Sequence, residues 1–206
     1  TGLRGALGAE LDAAMEALAI DEAIVAPAIP EVGRTTEAGV QLIGGVPVDR
    51  TPFARDPQNP VRDARVASVI ELTSRNRAGL IALDAVRRPG GVEASAERLR
   101  QDGARILVCD AQMDEDLEAI VRGVLGRSRP LLLAGSIGLA RALRRVLAVE
   151  RGRWPLPPRH DVGGRGTLVV VGSAHPTAHA QVEHAVASTD LDDALRVPLA
   201  SPAQAG

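Results

Sequence analysis

The chain has 206 residues, a formal net charge of -2 and 45% apolar residues, which is enough to build a hydrophobic core. No strong positive field exists, so nucleic acid and anionic membrane surfaces are not expected as partners. All 24 basic residues are arginines, which excludes a lysine-dependent phosphate loop and Schiff-base catalysis. The single cysteine, Cys109, lies in an apolar run and is expected to be a small buried hydrophobe. One cysteine permits no disulfide within the chain, which favours a cytoplasmic location.

The first third of the chain predicts a helix, a buried strand and then a long irregular segment. Apolar residues recur at helical spacing in 5–18, and 23–26 is a short apolar run typical of a buried strand. Glycines and prolines interrupt 31–60, where a hairpin is expected around Gly44 and Gly45 and loop elsewhere. A long insertion of this kind more often binds a ligand than fills space, so the segment is a candidate binding element.

Helices and strands alternate from residue 64 to residue 149. Helices are predicted at 64–74, 92–102, 114–125 and 137–149, and strands at 80–84, 105–109 and 130–134. Such alternation is typical of crossover units that build a parallel sheet. The expected fold class is therefore α/β, with a mostly parallel twisted sheet flanked by helices in a Rossmann-like three-layer arrangement.

A change of composition predicts a second domain. Residues 150–166 are rich in proline and glycine, as in an interdomain linker. A strand at 167–171, a helix at 176–187 and a strand at 195–199 are predicted after it. We therefore expect one domain over residues 1–150, a linker over 151–165 and the start of a second α/β domain over 166–206. Because the chain begins with Thr1, within a motif, we also expect a piece of a longer protein.

Three apolar strands are followed by a small polar turn and a helix, at 110–114, 134–138 and 172–177. Ligands of α/β sheets lie beyond the carboxyl ends of strands, and helix starts favour anions. The alternative is that small residues occur in these turns because the strand and the helix pack closely there, without any contact to a ligand. Asp114 can cap the helix that it begins, with Glu115 and Asp116 in the first turn complementing the helix dipole.

Three histidines lie close together in the sequence, at His175, His179 and His184. Positions 175 and 179 are one helical turn apart, which suits a metal site. The alternative is that these histidines face solvent or are partly buried, because the sequence lacks the carboxylate pattern of a metalloprotease helix.

Arg4 and Arg34 each lie beside glycines, in Gly2-Leu3-Arg4-Gly5 and Gly33-Arg34-Thr35-Thr36. A guanidinium fork binds a carboxylate or phosphate through two parallel hydrogen bonds, and glycines let a small anion approach the backbone. The pattern favours an anionic substrate. The alternative is a salt bridge from these arginines to Glu10, Glu31 or Asp56.

Two runs are specific, because no general pressure of folding demands them: Pro-Ala-Ile-Pro-Glu-Val-Gly-Arg-Thr-Thr at 27–36 and Phe-Ala-Arg-Asp-Pro at 53–57. Residues 1–10 look like a Lys-x-Asp-Ser-Thr-Leu-Arg-Gly segment joined part-way. Other segments follow in order: Gly39-Val40-Gln41, Gly45-Val46-Pro47, Ala134-Gly135-Ser136-Ile137-Gly138 and Val171-Gly172-Ser173. Together they resemble the four-carbon acid sugar kinases, which include D-threonate, D-erythronate and 3-oxo-tetronate kinases.

The resemblance implies a domain that binds the sugar acid and a second domain that binds ATP with Mg²⁺. It implies that Arg4, Arg34, Thr35 and Asp56 contact the substrate and that Gly172 and Ser173 contact the nucleotide, with no general base identified. Phosphoryl transfer depends mainly on positioning and charge neutralisation, which arginines and Mg²⁺ supply. A homodimer is a possible oligomeric state of the protein.

The family's Asp-Asp-x-Thr-Gly and Gly-Gly-Asp/Glu-Thr motifs are absent, and its Ser-Gly-Ser-Cys-Ser turn here reads Val171-Gly172-Ser173-Ala174-His175. The 206-residue chain alone is therefore expected to be inactive as a kinase. A sugar-acid-binding module without catalysis is the alternative function.

Overall fold

A computed structural model describes residues 3–125, 127, 129–148, 171–173 and 176–188. The chain divides into two units, Thr1–His160 and Asp161–Gly206. In the second unit, the helix predicted at 176–187 is confirmed and spans Pro176–Ser188 (α7). The linker predicted at 151–165 and the strand predicted at 195–199 lie outside the described residues, as does the strand at 167–171 except for Val171. The predicted domain boundaries stay predictions.

The first unit is built around a parallel sheet of four strands. These strands are β1 (Ala23–Ala26), β5 (Arg77–Ile81), β6 (Ala104–Cys109) and β7 (Leu132–Gly135). Their order across the sheet is β5-β6-β1-β7, and every neighbouring pair is parallel. The expected α/β fold class is therefore confirmed.

Helices cover both faces of this sheet. The helices of the first unit are α1 (Leu7–Ala17), α2 (Val66–Glu71), α3 (Leu83–Arg87), α4 (Gly91–Gln101), α5 (Asp114–Leu125) and α6 (Ile137–Val146). Side chains alternate along β1, so that Ile24 joins a core with α3, α4, α5 and α6, whereas Val25 joins a core with α1 and α2. In β6, Leu107 and Val108 divide in the same way. The result is the expected three-layer arrangement.

An antiparallel arm leaves the sheet after β1. It consists of β2 (Arg34–Glu37), β3 (Val40–Ile43) and β4 (Val46–Pro47), in that order. Ala38 and Gly39 form the first turn with φ of 49° and 75°, and Gly44 and Gly45 form the second with φ of 56° and 78°. Two successive positive φ values define the tight turn that matches strand twist. The hairpin predicted around Gly44 and Gly45 is thus confirmed.

Two segments differ most from the sequence predictions. The stretch 34–37 was expected to be loop but forms β2, because the turn at Ala38 and Gly39 pairs it with β3. The strand predicted at 80–84 spans Arg77–Ile81 instead, and the helix α3 follows it. Charged Arg77 opens that strand at the edge of the sheet, a position that apolar patterning does not reveal.

Candidate functional site

The irregular segment after the arm carries the first component of the site. Pro52–Arg55 forms a short 3₁₀ helix, and the Oγ1 of Thr51 accepts a hydrogen bond from the backbone N–H of Phe53 at 3.4 Å. The same hydroxyl donates to the carbonyl of Val48 at 2.6 Å. Pro52 suits the first helical position because its φ is already helical. This local geometry orders the backbone that carries Phe53, whose side chain packs against the core that contains Val25.

Two arginines from distant parts of the chain meet at the Phe53 ring. The Cζ of Arg4 lies 5.3 Å from the ring centroid and the Cζ of Arg34 lies 5.7 Å from it. Cation–π contacts of this kind contribute about 0.5–2 kcal/mol each, depending on how far the cation is desolvated. We call Arg4, Arg34, Phe53 and Asp56 the arginine cluster. The structure thus brings together three of the residues that the sequence singled out.

Asp56 neutralises one of the two arginines. Its Oδ2 accepts a hydrogen bond from Arg4 Nη1 at 2.8 Å. Its Oδ1 accepts from the backbone N–H groups of Asn59 at 2.8 Å and Gln58 at 3.1 Å. The bond from Asn59 and then the bond from Arg4 lower the pKa of Asp56. The predicted alternative of a salt bridge from Arg4 to Asp56 is therefore present.

Arg34 carries a charge that the cluster does not neutralise. Burial and the neighbouring positive charge of Arg4 lower the pKa of Arg34, yet a guanidinium stays protonated at neutral pH. Its Nε is buried and has no hydrogen-bond partner among the described residues. A buried N–H left unbonded costs about 1–3 kcal/mol. The arrangement favours an anion that accepts from Arg34.

A cleft of about 340 Å³ lies beside Arg4. It is lined by Leu3, Arg4, Gly5, Gln58, Asn59, Pro60, Val61, Arg62, Asp63, Val69, Leu72 and Thr73. Gly5 has a φ of 94°, a value that other residues rarely adopt, and it forms the wall beside Arg4. The cleft is large enough for a small organic acid.

Thr35 does not join the arginine cluster. Side chains alternate along a strand, so that Thr35 lies on the opposite face of β2 from Arg34. Its hydroxyl lies 3.4 Å from Oε1 of Glu37, to which it donates. Gly172 and Ser173 are exposed and belong to the second unit, before α7. The roles predicted for these three residues stay predictions.

The turns after the strands serve different purposes. Ideal Cβ atoms at Gly135 and Gly138 would come within 2.4 Å of the Ala26 carbonyl and 2.5 Å of the Ala28 carbonyl. Gly135 therefore lets the end of β7 lie close to the end of β1, and Gly138 lets α6 pack closely on the segment after β1. The turn at Asp110 connects the sheet to the arm, as its carboxylate accepts from the backbone N–H of Ala38.

Asp116 caps α5 in place of the expected Asp114. Its Oδ2 accepts hydrogen bonds from the N–H groups of Gln112 at 2.9 Å and Met113 at 3.0 Å. Asp114 instead forms an ion pair with Arg145 at 2.8 Å. Both carboxylates have a structural explanation, as the packing interpretation predicts.

No group of three His, Cys, Asp or Glu side chains that could hold a metal ion occurs within the described ranges. His175 lies outside those ranges, while His179 and His184 belong to α7. No helix in the described part of the chain is both long and apolar enough to span a bilayer.

Sequence reasoning missed the role of Phe53. The chain has one phenylalanine and an aromatic content of 1%. An aromatic residue so rare, placed beside Arg55 and Asp56 in a proline-flanked run, was the available signal for a contact with distant cations.

The chain is similar to proteins named as kinases of four-carbon acids. It is 37% identical over 184 residues to a D-threonate kinase from Salmonella typhimurium, which covers 89% of this chain and 41% of the relative. It is 35% identical over 173 residues to a 3-oxo-tetronate kinase from Methylobacterium radiotolerans, covering 82% of this chain and 37% of the relative. The chain thus spans about two fifths of the length of these relatives.

A solved structure is also similar, a domain of unknown function from Bordetella bronchiseptica with bound citrate, a domain-swapped dimer. It is 35% identical, with a TM-score of 0.56, over 71% of this chain and 35% of that one. Residues 1–143 match the family described as the sugar-binding N-terminal domain, a range that includes the whole arginine cluster. The chain therefore belongs to the family of sugar-binding N-terminal domains.

Proposed function

We propose that this chain is the substrate-binding part of an ATP-dependent kinase that phosphorylates a hydroxyl of a four-carbon sugar acid. The acid is of the threonate, erythronate or 3-oxo-tetronate type, and the kinase acts in carbohydrate acid catabolism in the cytoplasm. The names of two relatives that match more than four fifths of the chain support this assignment. Because the chain spans about two fifths of their length, the activity belongs to the proposal.

The observation that carries the proposal is the uncompensated charge of Arg34 beside Arg4. Asp56 forms its ion pair with Arg4, at 2.8 Å, and the buried Nε of Arg34 has no acceptor within the described part of the chain. A substrate carboxylate placed between Arg34 and the cleft beside Arg4 accepts hydrogen bonds from both arginines. Hydrogen bonds to charged groups contribute about 1.5–3 kcal/mol each, so such a contact supplies a large part of the affinity of a small ligand.

The cleft provides room for the hydroxyl groups of the acid. Arg4 and Asn59 line it together with Thr73, which supplies polar atoms beside apolar Leu3 and Val69. Pockets of this mixed character bind small polar molecules by fixing their orientation through a few hydrogen bonds. The bound citrate of the Bordetella bronchiseptica relative supports an organic acid as ligand.

ATP and Mg²⁺ belong to the proposal as cosubstrate and cofactor. Among the described residues, no group of three His, Cys, Asp or Glu side chains could hold the ion. Mg²⁺ with ATP would neutralise charge on the transferred phosphoryl group. Gly172 and Ser173 are proposed to contact the nucleotide. A homodimer is also proposed, since the Bordetella bronchiseptica relative is a domain-swapped dimer.

The proposal is tested by calorimetric titration of the chain with D-threonate, D-erythronate and 3-oxo-tetronate. The matched controls are the uncharged polyols threitol and erythritol, which keep the hydroxyl groups and lack the carboxylate. We expect at least one acid to bind and the polyols not to bind, with affinity that falls as salt is added. Absence of binding by every acid, or equal binding of a polyol, would contradict the proposed recognition.

The division of labour is tested separately. With Mg-ATP and the bound acid, we expect the chain alone to release no ADP, because it covers 41% of the D-threonate kinase that it resembles. Steady ADP release in a coupled assay would show that this chain holds the chemistry and that the division proposed here is wrong.

A further inference from the structure

The arm occupies the position at which an open α/β sheet usually binds its ligand. The connection from β1 to β5 contains helix α2, which packs in the core that contains Val25. The connection from β6 to β7 contains helix α5, which packs in the core that contains Leu107, on the other face of the sheet. Connections that leave adjacent strands β1 and β6 toward opposite faces open a crevice at the carboxyl ends of those strands. Here the first turn of the arm is bonded to the end of β6.

Asp110, the first residue after β6, makes this connection. Its Oδ2 accepts from the N–H of Ala38 and its Oδ1 accepts from the N–H of Gly39, both at 2.9 Å. A third backbone N–H, from Leu83, also donates to this carboxylate. The side chain is buried, with 1% of the residue exposed. Both carboxylate oxygens are therefore used to hold backbone groups in the crevice.

The same strand end is held a second time, through the backbone. Thr36 and Ala111 exchange two hydrogen bonds, of 2.9 Å and 3.0 Å, which attach the middle of β2 to the residue after Asp110. On the other side of the turn, the carbonyl of Gly39 accepts from the N–H of Val66 at 2.9 Å. The arm is thus fixed at its turn, and its opposite end presents Arg34.

Arg34 is the first residue of β2 and is paired with Ile43, the last residue of β3. Four residue pairs in continuous register connect the turn to this end of the arm. The backbone of Arg34 is also bonded to Ile29, at 2.8 Å and 3.1 Å, so a displacement at Ala38 and Gly39 is expected to reach Arg34 mainly as a change in the guanidinium's contact with Phe53.

We propose that Asp110 is a positioning residue, which holds the turn of the arm in the crevice and thereby sets the position of Arg34 for the acid. This role rests on the proposed function as far as the acid is concerned, whereas the effect on Arg34 itself can be measured without any ligand. Burial raises the pKa of Asp110, while the bonds from Gly39 and Ala38 act in the opposite direction.

The test is the exchange of the Nε–H of Arg34 with solvent, followed by nitrogen-15 NMR in the wild type and in Asp110→Asn. An asparagine amide nitrogen cannot accept a hydrogen bond, so one of the two N–H groups of the turn loses its partner. We expect exchange at Arg34 Nε to become about tenfold faster or more, while the amides of β1 keep their protection. Unchanged exchange at Arg34 Nε would overturn the proposal.

Asp12→Asn is the matched control. Asp12 is also buried, and its carboxylate also accepts three hydrogen bonds, from Ser74 Oγ at 2.7 Å, Arg75 N at 2.7 Å and Asn76 Nδ2 at 2.8 Å. These bonds attach α1 to the loop after α2 and do not involve the arm. We expect this variant to lose stability without faster exchange at Arg34. If the two variants accelerated exchange at Arg34 Nε equally, Asp110 would contribute to overall stability only, and the proposed positioning role would be wrong.

Two further measurements separate the possible failures. In the wild type, the amides of Ala38 and Gly39 should be protected to the degree of β6 amides, and rapid exchange there would overturn the proposal even if Asp110→Asn does not fold. In titrations with the acid that binds the wild type, Asp110→Asn should weaken binding about tenfold, and Asp12→Asn should not. If no acid binds the wild type, the proposed function fails while the exchange data still decide the position of Arg34.

Discussion

Arg34 differs from the arginines that form surface ion pairs in having a buried Nε without a partner among the described residues. Arg122, for example, bonds Glu118 four residues away on α5 at 2.8 Å, and 61% of its side chain is exposed. Such a pair contributes a few tenths of a kcal/mol. The charge of Arg34 is instead held close to Phe53 and Arg4 without compensation, which is costly unless a ligand supplies the missing acceptor.

Replacement of Arg34 by lysine should weaken sugar-acid binding about 10- to 100-fold, the effect of losing one charge-assisted hydrogen bond. The ammonium group is a point charge and cannot reproduce the two parallel bonds of the guanidinium fork. Calorimetry on Arg34→Lys and wild type measures the difference. Arg122→Lys serves as the control and should bind as the wild type does. Equal affinity of Arg34→Lys and wild type would assign Arg34 to a structural role.

The candidate site was partly accessible from the sequence. A neighbouring glycine identified each of Arg4 and Arg34, because small neighbours permit close approach of an anion. The sequence did not show that Arg4 and Arg34 both contact Phe53, or that Thr35 lies on the opposite face of β2 from Arg34. Both features depend on where β2 begins. That start is set by the turn at Ala38 and Gly39, whose first residue is an alanine at a φ that usually selects glycine or asparagine.

At the scale of the element, the arm contains a local conflict between sequence and backbone. Ala38 is exposed and has a φ of 49°, in the left-handed region that asparagine tolerates better than alanine. The bonds to Asp110 maintain this conformation against the preference of the residue. The conflict explains why the sequence predicted a loop at 34–37.

Replacement of Ala38 by asparagine should stabilise the chain by about 0.5–1 kcal/mol, since Asn-Gly is favoured in this type of turn. Urea unfolding with a constant m-value measures the gain. The control is Ala67→Asn on α2, where φ is helical and the same residue should destabilise by a few tenths of a kcal/mol or more. A loss of stability in Ala38→Asn would show that the bonds to Asp110, and not the residue, decide the turn.

At the scale of the whole molecule, the α/β arrangement could be predicted because apolar periodicity determines which segments can share a core. The strand β1 is fully buried, and β6 is buried at every residue except Arg105; both were identified closely, whereas the edge strand β5 was displaced by three residues at each end of the predicted range. Edge strands carry charged residues on a partly solvated surface, which removes the apolar signal. The position of the arm could not be predicted, since it depends on contacts between residues more than 70 positions apart, Gly39 and Asp110 among them.

The reactivity of Cys109 can be used to measure how often the buried core of this protein becomes accessible to solvent. The thiol is fully buried on β6, next to Asp110, and burial raises its pKa, so that it exists as unreactive thiol in the folded state. Because the sequence contains one cysteine, the rate of colour development with an aromatic disulfide reagent measures how often the centre of the sheet becomes accessible. We expect labelling to follow the free energy of global unfolding across urea concentrations, and fast labelling without urea would show that β6 opens locally. A tightly bound sugar acid should then slow the labelling. Binding at the arginine cluster can therefore be measured as a lower labelling rate of Cys109 in the core.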